Sequence, residues 1–341
     1  MTLICIEEHA IDLAIMEAAG PRLAGEAPYL RFQSTSSAPV RPGPGRSPAV
    51  DRATAHQLGA DLGEGRIRRM DEHGIDIQIV SWTSPVQMVP ADPGIALCRA
   101  ANDRLAAAVA DHPDRLQGFA ALPWQDPAAA VAELDRAVSG LGMCGVLILG
   151  RPGERFLDDP LYRPVLARIA ELRVPLYVHP FVPVPAVQRA YYAGFSDKVT
   201  AELSLGGWGW HHEAGIQVLR MILGGVCDRL PDLQIVSGHW GEMVPFFLNR
   251  LDDVLSPADT GLSRTITETY RSHVWVTPSG MEHRAEFEFV RSTVGLDRVI
   301  WSTDYPFLQL EKVPDFIDGL DLTAEERAAI THRNAERLFG F

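Results

Sequence analysis

Residues 3–10 read LICIEEHA, an apolar run that ends abruptly in two glutamates and a histidine. A nearly continuous apolar strand is typical of a parallel sheet that is covered on both faces. Similar apolar runs recur along the chain and alternate with amphipathic segments of helical spacing, which predicts right-handed crossovers. The predicted strands lie at residues 3–7, 75–82, 116–122, 144–149, 174–179, 233–238, 272–277 and 298–303.

Eight such strands favour a closed (β/α)8 barrel, the TIM-barrel form of the α/β class. A doubly wound open sheet is the main alternative. The chain has 341 residues, of which 46% are hydrophobic. That length is unusual for one ordinary domain, but barrels of this class commonly reach it. Because no internal repeat is evident, the sequence predicts a single domain over residues 1–341.

Two segments interrupt the alternation of strands and helices. Residues 34–52 are rich in proline, serine and glycine, which predicts a long loop insertion after strand 1. Residues 181–211 follow strand 5 and contain several aromatic side chains, among them Phe181, Tyr191 and Trp208. These three are candidate substrate-binding residues if the segment forms an aromatic lid. The alternative is that the aromatic side chains pack onto the outer helices.

The overall charge narrows the classes of partner. Lys and Arg number 31 against 44 Asp and Glu, which gives a net charge of -13. Nucleic acids and anionic membranes attract clustered cations, so neither is expected as the main partner. No apolar run reaches the ~18 residues of a membrane-spanning helix. The stretch MTLICIEEHA lacks the basic and apolar regions of a signal peptide, so a cytoplasmic location is expected.

Metal-competent side chains recur where the predicted strands end. Strand 1 ends in Glu7 and His9, strand 5 in His179, strand 6 in GHWGE at 238–242, and strand 8 in Asp304. The carboxyl ends of parallel strands share one face of a barrel, and residues two apart in a strand point to the same side. Two imidazoles and two carboxylates suit Zn²⁺ or Mn²⁺, and the carboxylates favour the harder ion. A buried charge network without a metal is the alternative, but it would carry a large desolvation penalty.

The ordered set of these motifs resembles the amidohydrolase superfamily, specifically its decarboxylase branch. That branch includes γ-resorcylate decarboxylase, 2,3-dihydroxybenzoate decarboxylase and aminocarboxymuconate semialdehyde decarboxylase. The resemblance covers nearly the whole chain and is specific only as an ordered set. Its motifs are IEEHA at 6–10, GFAALPWQDP at 118–127, VPLYVHP at 174–180, LQIVSGHWGE at 233–242, VTPSG at 276–280, STDYPF at 302–307 and RNAERLF at 333–339.

The resemblance implies a role for each matching position. It implies four metal ligands, namely Glu7, His9, His179 and Asp304. His239 would stand beside the metal, and Glu242 would hydrogen-bond to His239 and tune it. Arg250 matches an arginine that lies close to substrate in resorcylate decarboxylases, although a surface salt bridge with Asp252 or Asp253 is an alternative for it. Strand 4 ends without the lysine that bridges two metals in binuclear members, so one divalent ion is expected.

The resemblance also implies an activity. We expect nonoxidative decarboxylation of an ortho-hydroxybenzoate-type aromatic acid, with Asp304 donating a proton to the ring carbon. His239 and Glu242 would hold or relay that proton. Hydrolysis of a lactone, amide or related bond is the alternative, with Asp304 as the base and a metal-activated water. A hydratase, or a non-catalytic protein on the same fold, are further alternatives. A small aromatic carboxylate is the expected partner, and members of this branch are commonly homodimers or homotetramers.

Two departures from the family pattern leave the substrate open. One is the insertion at 34–52, and the other is the segment GGWGWHHE at 206–213. Both are expected to border the pocket. Within the second segment, His211 and His212 adjoin two tryptophans, and the sequence leaves open whether either histidine contacts substrate.

Overall fold

The structure is a computed structural model that describes residues 2–32, 49–311 and 313–341. Its core is a curled parallel sheet. Its strands follow the chain in nearest-neighbour order, and every pair is parallel. The strands are β1 (Ile4–Ala10), β2 (Ile77–Trp82), β3 (Leu116–Ala120), β4 (Gly145–Leu149), β5 (Leu176–His179), β6 (Ile235–Ser237) and β7 (Val274–Val276). The prediction of a parallel sheet built from these seven runs is therefore confirmed.

The eighth predicted run does not form a regular strand in the structure, although Ile300 and Trp301 bond to the two edges of the sheet. The Ile300 amide donates to the Val276 carbonyl of β7 at 3.0 Å, and the Ile6 amide of β1 donates to the Trp301 carbonyl at 3.1 Å. A regular ladder does not continue past these bonds, because the Thr303 amide donates to the side chain of Glu8 instead. The first and last strands thus meet across a short irregular segment.

Helices follow the strands and cover the outside of the sheet. They are α1 (Leu13–Glu26), α2 (Arg52–Ala60), α3 (Glu64–Glu72), α4 (Ala91–Asp111), α5 (Pro127–Asp135), α6 (Arg163–Glu171), α7 (Pro185–Val187), α8 (Asp197–Ser204), α9 (Gly209–Leu223), α10 (Val226–Arg229), α11 (His239–Glu242), α12 (Val244–Val254), α13 (Pro257–Thr260), α14 (Ile266–His273), α15 (Arg284–Thr293), α16 (Val313–Gly319), α17 (Ala324–Ala328) and α18 (Asn334–Phe339). No described helix combines the length and apolar character needed to cross a membrane.

Of the two predicted irregular segments, only the second is described in full. Helix α1 follows β1 directly, and residues 34–48 of the predicted insertion lie outside the described residues. The described end of that segment is fixed where the Val50 amide donates to the Phe307 carbonyl at 2.8 Å. The aromatic segment 181–211 is largely helical rather than a loop. Pro185 at the first turn of α7 and the Ser196 cap of α8 explain why helices form there.

Alternate side chains of the strands build two apolar cores. Ile4 and Ile6 of β1 pack inside the curled sheet with Ile79 and Tyr177, whereas Cys5 packs outward against the helices. This alternation is the two-residue period of a strand whose two faces are both covered. The inner core fills the sheet below its carboxyl ends, so polar side chains at those ends stand on a rigid apolar base.

Arg66 of α3 is fully buried and ties β1 to the helical layer. Its guanidinium donates to the His9 carbonyl at 2.6 Å, the Asp61 carbonyl at 2.9 Å and Gln78 Oε1 at 3.0 Å. Gln78 in turn donates to Glu8 Oε2 at 3.0 Å. The network fixes the backbone of β1 at the point where its functional side chains emerge.

We expect Arg66→Met to lower the free energy of unfolding substantially. Each buried acceptor that loses its partner costs about 1–3 kcal/mol, and Arg66 serves three acceptors. Urea denaturation measures the loss. Arg68→Met, on the exposed face of the same helix, is the control and is expected to unfold like the wild type. Equal stability of the two variants would contradict this role of Arg66.

Candidate active site

Four chelating side chains converge at the carboxyl ends of the strands. Glu7 and His9 come from β1, His179 from β5, and Asp304 from the segment that joins the two edges of the sheet. His9 Nε2 lies 3.2 Å from Asp304 Oδ1, and His179 Nε2 lies 3.3 Å from Glu7 Oε1. One ligand atom from each of the four lies within 4.8 Å of all the others. The structure thus brings together the four residues that the sequence singles out.

A β-bulge in β1 decides which way its three polar side chains point. The register against β2 shifts between Cys5 and Glu8, so β1 contains one extra residue there. Ile6 and Glu7 can therefore both face the interior although they are neighbours. Glu8 faces outward to Gln78 and Thr303, and His9 faces inward again. Bulges commonly redirect side chains in this way beside active sites.

The two histidines of this cluster present nitrogen lone pairs to it. His179 Nδ1 donates to the Pro180 carbonyl at 2.7 Å, which leaves Nε2 as the unprotonated nitrogen. Burial, followed by the neighbouring imidazoles of His9 and His239, holds the pKa of His179 well below its usual value. His9 Nδ1 pairs with Ser81 Oγ at 3.0 Å. Both rings are therefore oriented by the nitrogen that points away from the cluster.

Two buried atoms of this cluster have no hydrogen-bond partner among the described residues. They are Glu7 Oε1 and His9 Nε2, and both residues are fully buried. Burial also raises the pKa of Glu7, because the loss of hydration there disfavours the charged carboxylate. Buried polar atoms are normally satisfied. Unpaired carboxylate and imidazole atoms that face one another fit a divalent cation.

Three hydroxyl groups hold the other oxygen of Glu7. Oε2 accepts from Thr277 Oγ1 at 3.3 Å, from Ser302 Oγ at 3.4 Å and from Ser279 Oγ. Ser279 Oγ also accepts from the His239 amide at 2.8 Å, so it joins Glu7 to the turn after β6. Sequence reasoning assigned no role to these hydroxyls. Their signal was present in the motifs VTPSG and STDYPF, which place them after strands 7 and 8.

We expect Ser279→Ala to weaken the affinity of the protein for Mn²⁺ by about 10- to 100-fold, the usual loss when a partner of a metal ligand is removed. The substitution frees one oxygen of Glu7, and chelator competition measures the affinity. Ser237→Ala is the matched control, because Ser237 Oγ is buried without a hydrogen bond among the described residues. If both variants bind Mn²⁺ as the wild type does, Ser279 does not orient Glu7.

A second polar cluster lies beside the first and is held by hydrogen bonds. His239 Nδ1 lies 2.7 Å from Glu242 Oε1, and His211 Nδ1 lies 2.8 Å from Glu242 Oε2. The backbone from His239 to Met243 takes left-handed conformations throughout, and a Cβ on Gly241 would lie 2.5 Å from the Tyr270 hydroxyl. Ligand atoms on one ion stand ~3 Å or more apart, given bonds of ~2.1 Å. The shorter distances here indicate a hydrogen-bonded group rather than a second metal site.

The charges of this second cluster are strongly coupled. Burial alone would lower the pKa of His239, but the carboxylates of Glu242, Glu7 and Asp304 outweigh it and raise that pKa to about 9. Burial alone would raise the pKa of Glu242, but His239 and His211 outweigh it and the pKa falls below its usual value. These shifts favour an imidazolium on His239 and a carboxylate on Glu242, which are hydrogen-bonded beside the first cluster.

The remaining candidate residues make no hydrogen bond, ion pair or ring contact with either cluster in the part of the chain that the structure describes. Phe181 is partly buried and packs against the apolar core. Tyr191 and Trp208 are 66% and 47% exposed. Arg250 is exposed on α12. The hydrogen bonds, ion pairs and ring contacts of the described residues join none of these four to the clusters, nor Arg250 to Asp252 or Asp253.

Comparison with curated proteins and solved structures agrees with this geometry. The family model described as Amidohydrolase matches residues 55–341. Decarboxylase orsB of Emericella nidulans is 34% identical over 98% of this chain and 96% of its own length. The γ-resorcylate decarboxylase of Rhizobium sp. is 34% identical over 83% of this chain and 88% of its own length.

A solved structure extends the likeness to the fold of the whole chain. The dihydroxybenzoic acid decarboxylase of Polaromonas sp. JS666, with bound manganese and the inhibitor 2-nitroresorcinol, superposes with a TM-score of 0.83. It is 29% identical, and the match covers 99% of this chain and 97% of that one. The family match and these relatives support one conclusion: the chain belongs to the amidohydrolase family.

Proposed function

We propose that this protein is a metal-dependent nonoxidative decarboxylase of an ortho-hydroxybenzoate-type acid. The observation that carries the proposal is the buried cluster of Glu7, His9, His179 and Asp304, with unpaired donor atoms directed at one another. The named relatives that share the fold and sequence are decarboxylases of aromatic acids. Hydroxybenzoates are therefore the substrate class to which the site is best matched.

The four residues of the cluster would hold one divalent ion. When bound, the ion would offset the charge of a substrate carboxylate and its neighbouring phenolate. The carboxylates favour Mn²⁺ over Zn²⁺, and manganese is the ion in the Polaromonas decarboxylase. A single site is proposed because the residues after β4 are Gly150 and Arg151, with no lysine to bridge a second ion.

Asp304 is the proposed proton donor. Its side chain is 19% exposed and lies at the mouth of the cluster, whereas Glu7 and His9 are fully buried. In the reaction the Asp304 proton forms a C–H bond at the ring carbon that bears the carboxylate. The bond to the carboxylate carbon then breaks, its electron pair restores the aromatic ring, and CO₂ leaves.

His239 and Glu242 are proposed to stabilise the charge at this step and to return a proton to Asp304. The imidazolium of His239 interacts with the carboxylates of both Glu7 and Asp304, and Glu242 holds its ring from the opposite side. Its positive charge favours binding of an anionic substrate close to Asp304. Glu242 therefore orients the His239 ring and favours its protonated form at neutral pH.

Finer features of the architecture are part of the same proposal. We propose that residues 299–301 act as an eighth strand that closes a (β/α)8 barrel over one domain, because they bond to both β1 and β7. Phe181, Tyr191 and Trp208 are proposed to line a lid for the substrate ring, and Arg250 to contact substrate.

A cytoplasmic location and a dimeric or tetrameric assembly remain predictions. The exposed rings of Phe246, Phe247 and Phe289 offer an apolar surface for assembly.

The test is turnover of a panel of hydroxybenzoates by protein loaded with Mn²⁺ or Zn²⁺, followed by ultraviolet absorbance and CO₂ release. We expect metal-dependent CO₂ release from at least one acid with a hydroxyl group ortho to the carboxylate. No release from the whole panel, with the metal verified as bound, would contradict the proposal. It would favour hydrolysis of a lactone or amide by the same four ligands instead.

A further inference from the structure

His211 is a histidine outside the four-residue cluster that makes a defined contact within the site. It lies in the first turn of α9, and its ring stands 4.4 Å from that of His239, centroid to centroid. Its Nδ1 lies 2.8 Å from Glu242 Oε2, the carboxylate oxygen that His239 does not use. Glu242 is therefore hydrogen-bonded to two imidazoles, one on each carboxylate oxygen, and these hydrogen bonds are partly shielded from water.

The surroundings of His211 select one tautomer of its ring. The Trp210 indole Nε1–H can only donate, and it lies 3.1 Å from His211 Nε2. The ionised Glu242 can only accept, so the proton of a neutral ring is on Nδ1 and is donated to Glu242, which leaves the Nε2 lone pair for the indole. The Gly206 carbonyl at 3.0 Å from Nε2 is the acceptor that a doubly protonated ring would use. The indole thus directs a hydrogen-bond donor of His211 at the carboxylate.

The consequence concerns the freedom of Glu242. A carboxylate held by one oxygen alone can rotate about its terminal torsion, which is broad in glutamate. Rotation would move Oε1 away from His239 and leave that ring free to turn from the first cluster. Donors on both oxygens remove this freedom. Residues that do not touch the substrate commonly orient, through such hydrogen bonds, the groups that act on it.

We propose that His211 is a positioning residue that acts through Glu242 to hold His239 toward the metal-binding cluster. The inference rests on the proposed function for its kinetic consequence, but not for the hydrogen bond itself. The segment that carries His211, GGWGWHHE at 206–213, is one of the two in which this chain departs from the family pattern. Through His211, this segment of α9 forms the second hydrogen bond to Glu242. The motifs of the family assign no function to the position of His211.

The kinetic experiment separates the ring of His211 from its donor. His211→Phe keeps an aromatic ring against His239 but cannot donate, whereas His211→Asn loses the ring and keeps an N–H near the position of Nδ1. We expect His211→Phe to lower kcat for decarboxylation by about 10- to 100-fold with KM little changed. His211→Asn should recover most of kcat. His112→Phe, at a histidine that ends α4 beside Glu64, is the control and should match the wild type.

Metal content, measured by mass spectrometry, should stay equal in all these variants, because neither His211 nor Glu242 is a proposed ligand. A kcat for His211→Phe equal to that of the wild type would overturn the proposal. So would a kcat for His211→Asn as low as that for His211→Phe, since the loss would then follow the ring and not the hydrogen bond.

A spectroscopic measurement tests the hydrogen bond even if no hydroxybenzoate is a substrate. Histidine-labelled, zinc-loaded protein should give ¹⁵N signals for His211 with Nδ1 protonated and Nε2 bare. The His239 ring signals should move in His211→Phe and stay near their wild-type positions in His211→Asn. Unmoved His239 signals in His211→Phe would overturn the proposal, whereas absent turnover with these shifts observed would count only against the proposed function.

Discussion

Asp304→Asn is expected to lower kcat for decarboxylation by about 10²- to 10⁴-fold, the contribution of a general acid, while the protein keeps its fold. Asparagine has no acidic proton to give to the ring carbon. It preserves the shape of the side chain and can still present an oxygen to the His9 side of the cluster. Asp304 has a φ of 59°, a left-handed conformation that asparagine tolerates well. The substitution therefore removes the proton without straining the backbone.

The measurement is kcat with the metal content and the circular dichroism spectrum recorded on the same sample. Asp315→Asn, an exposed aspartate on α16, is the matched control and should retain the wild-type kcat. Full activity of Asp304→Asn with a native spectrum would show that the proton comes from another group, and the proposed mechanism would fail.

Glu7→Gln is expected to weaken Mn²⁺ affinity by at least about 100-fold, more than the loss of an outer partner causes. The amide carries no charge, so it cannot balance a divalent ion in this buried position. Glutamine can still accept the hydroxyl hydrogen bonds that now reach Oε2 of Glu7, so the surrounding structure should persist. Competition with a coloured chelator gives the affinity directly.

Glu8→Gln is the control for this variant. Glu8 is as deeply buried as Glu7, but it contacts Gln78 and Thr303 on the other face of β1. Burial raises the pKa of Glu8 to about 8, so an uncharged glutamine changes the charge here less than it would at an exposed glutamate. We expect Glu8→Gln to keep its metal. Unchanged affinity in Glu7→Gln, or a greater loss in Glu8→Gln, would contradict the assignment of ligands.

The strands were predictable because their signal is local. Continuous apolar runs such as those of β4 and β5 need no tertiary information, and they were placed within a few residues. The eighth run has the same composition, yet the Thr303 amide bonds to the side chain of Glu8, and nothing in either segment alone reveals that pairing. The bulge in β1 is equally hidden. The sequence predicts that Glu7 and His9 lie on one side of the strand, but it does not predict that Ile6 lies on the same side.

The site was predictable only as far as strand ends define it. Glu7 and His9 lie in β1, His179 ends β5, and Asp304 follows the segment that bonds to β1 and β7, so the topology brings them to the same end of the sheet. His211 instead lies at the start of a helix, where adjacent residues differ in direction by about 100°. The choice between His211 and His212 depends on where α9 begins, at Gly209, and on how it packs against the turn at Glu242. Neither the start of α9 nor its packing against this turn can be predicted from the spacing of residues in the sequence.

The most direct test of the account is the anomalous scattering of manganese in crystals of Mn²⁺-loaded protein. We predict one strong peak within bonding distance of Glu7 Oε1, His9 Nε2, His179 Nε2 and Asp304 Oδ1. A peak instead among His211, His239 and Glu242, or no peak in protein that decarboxylates a hydroxybenzoate, would contradict the central claim that these four side chains form the metal centre.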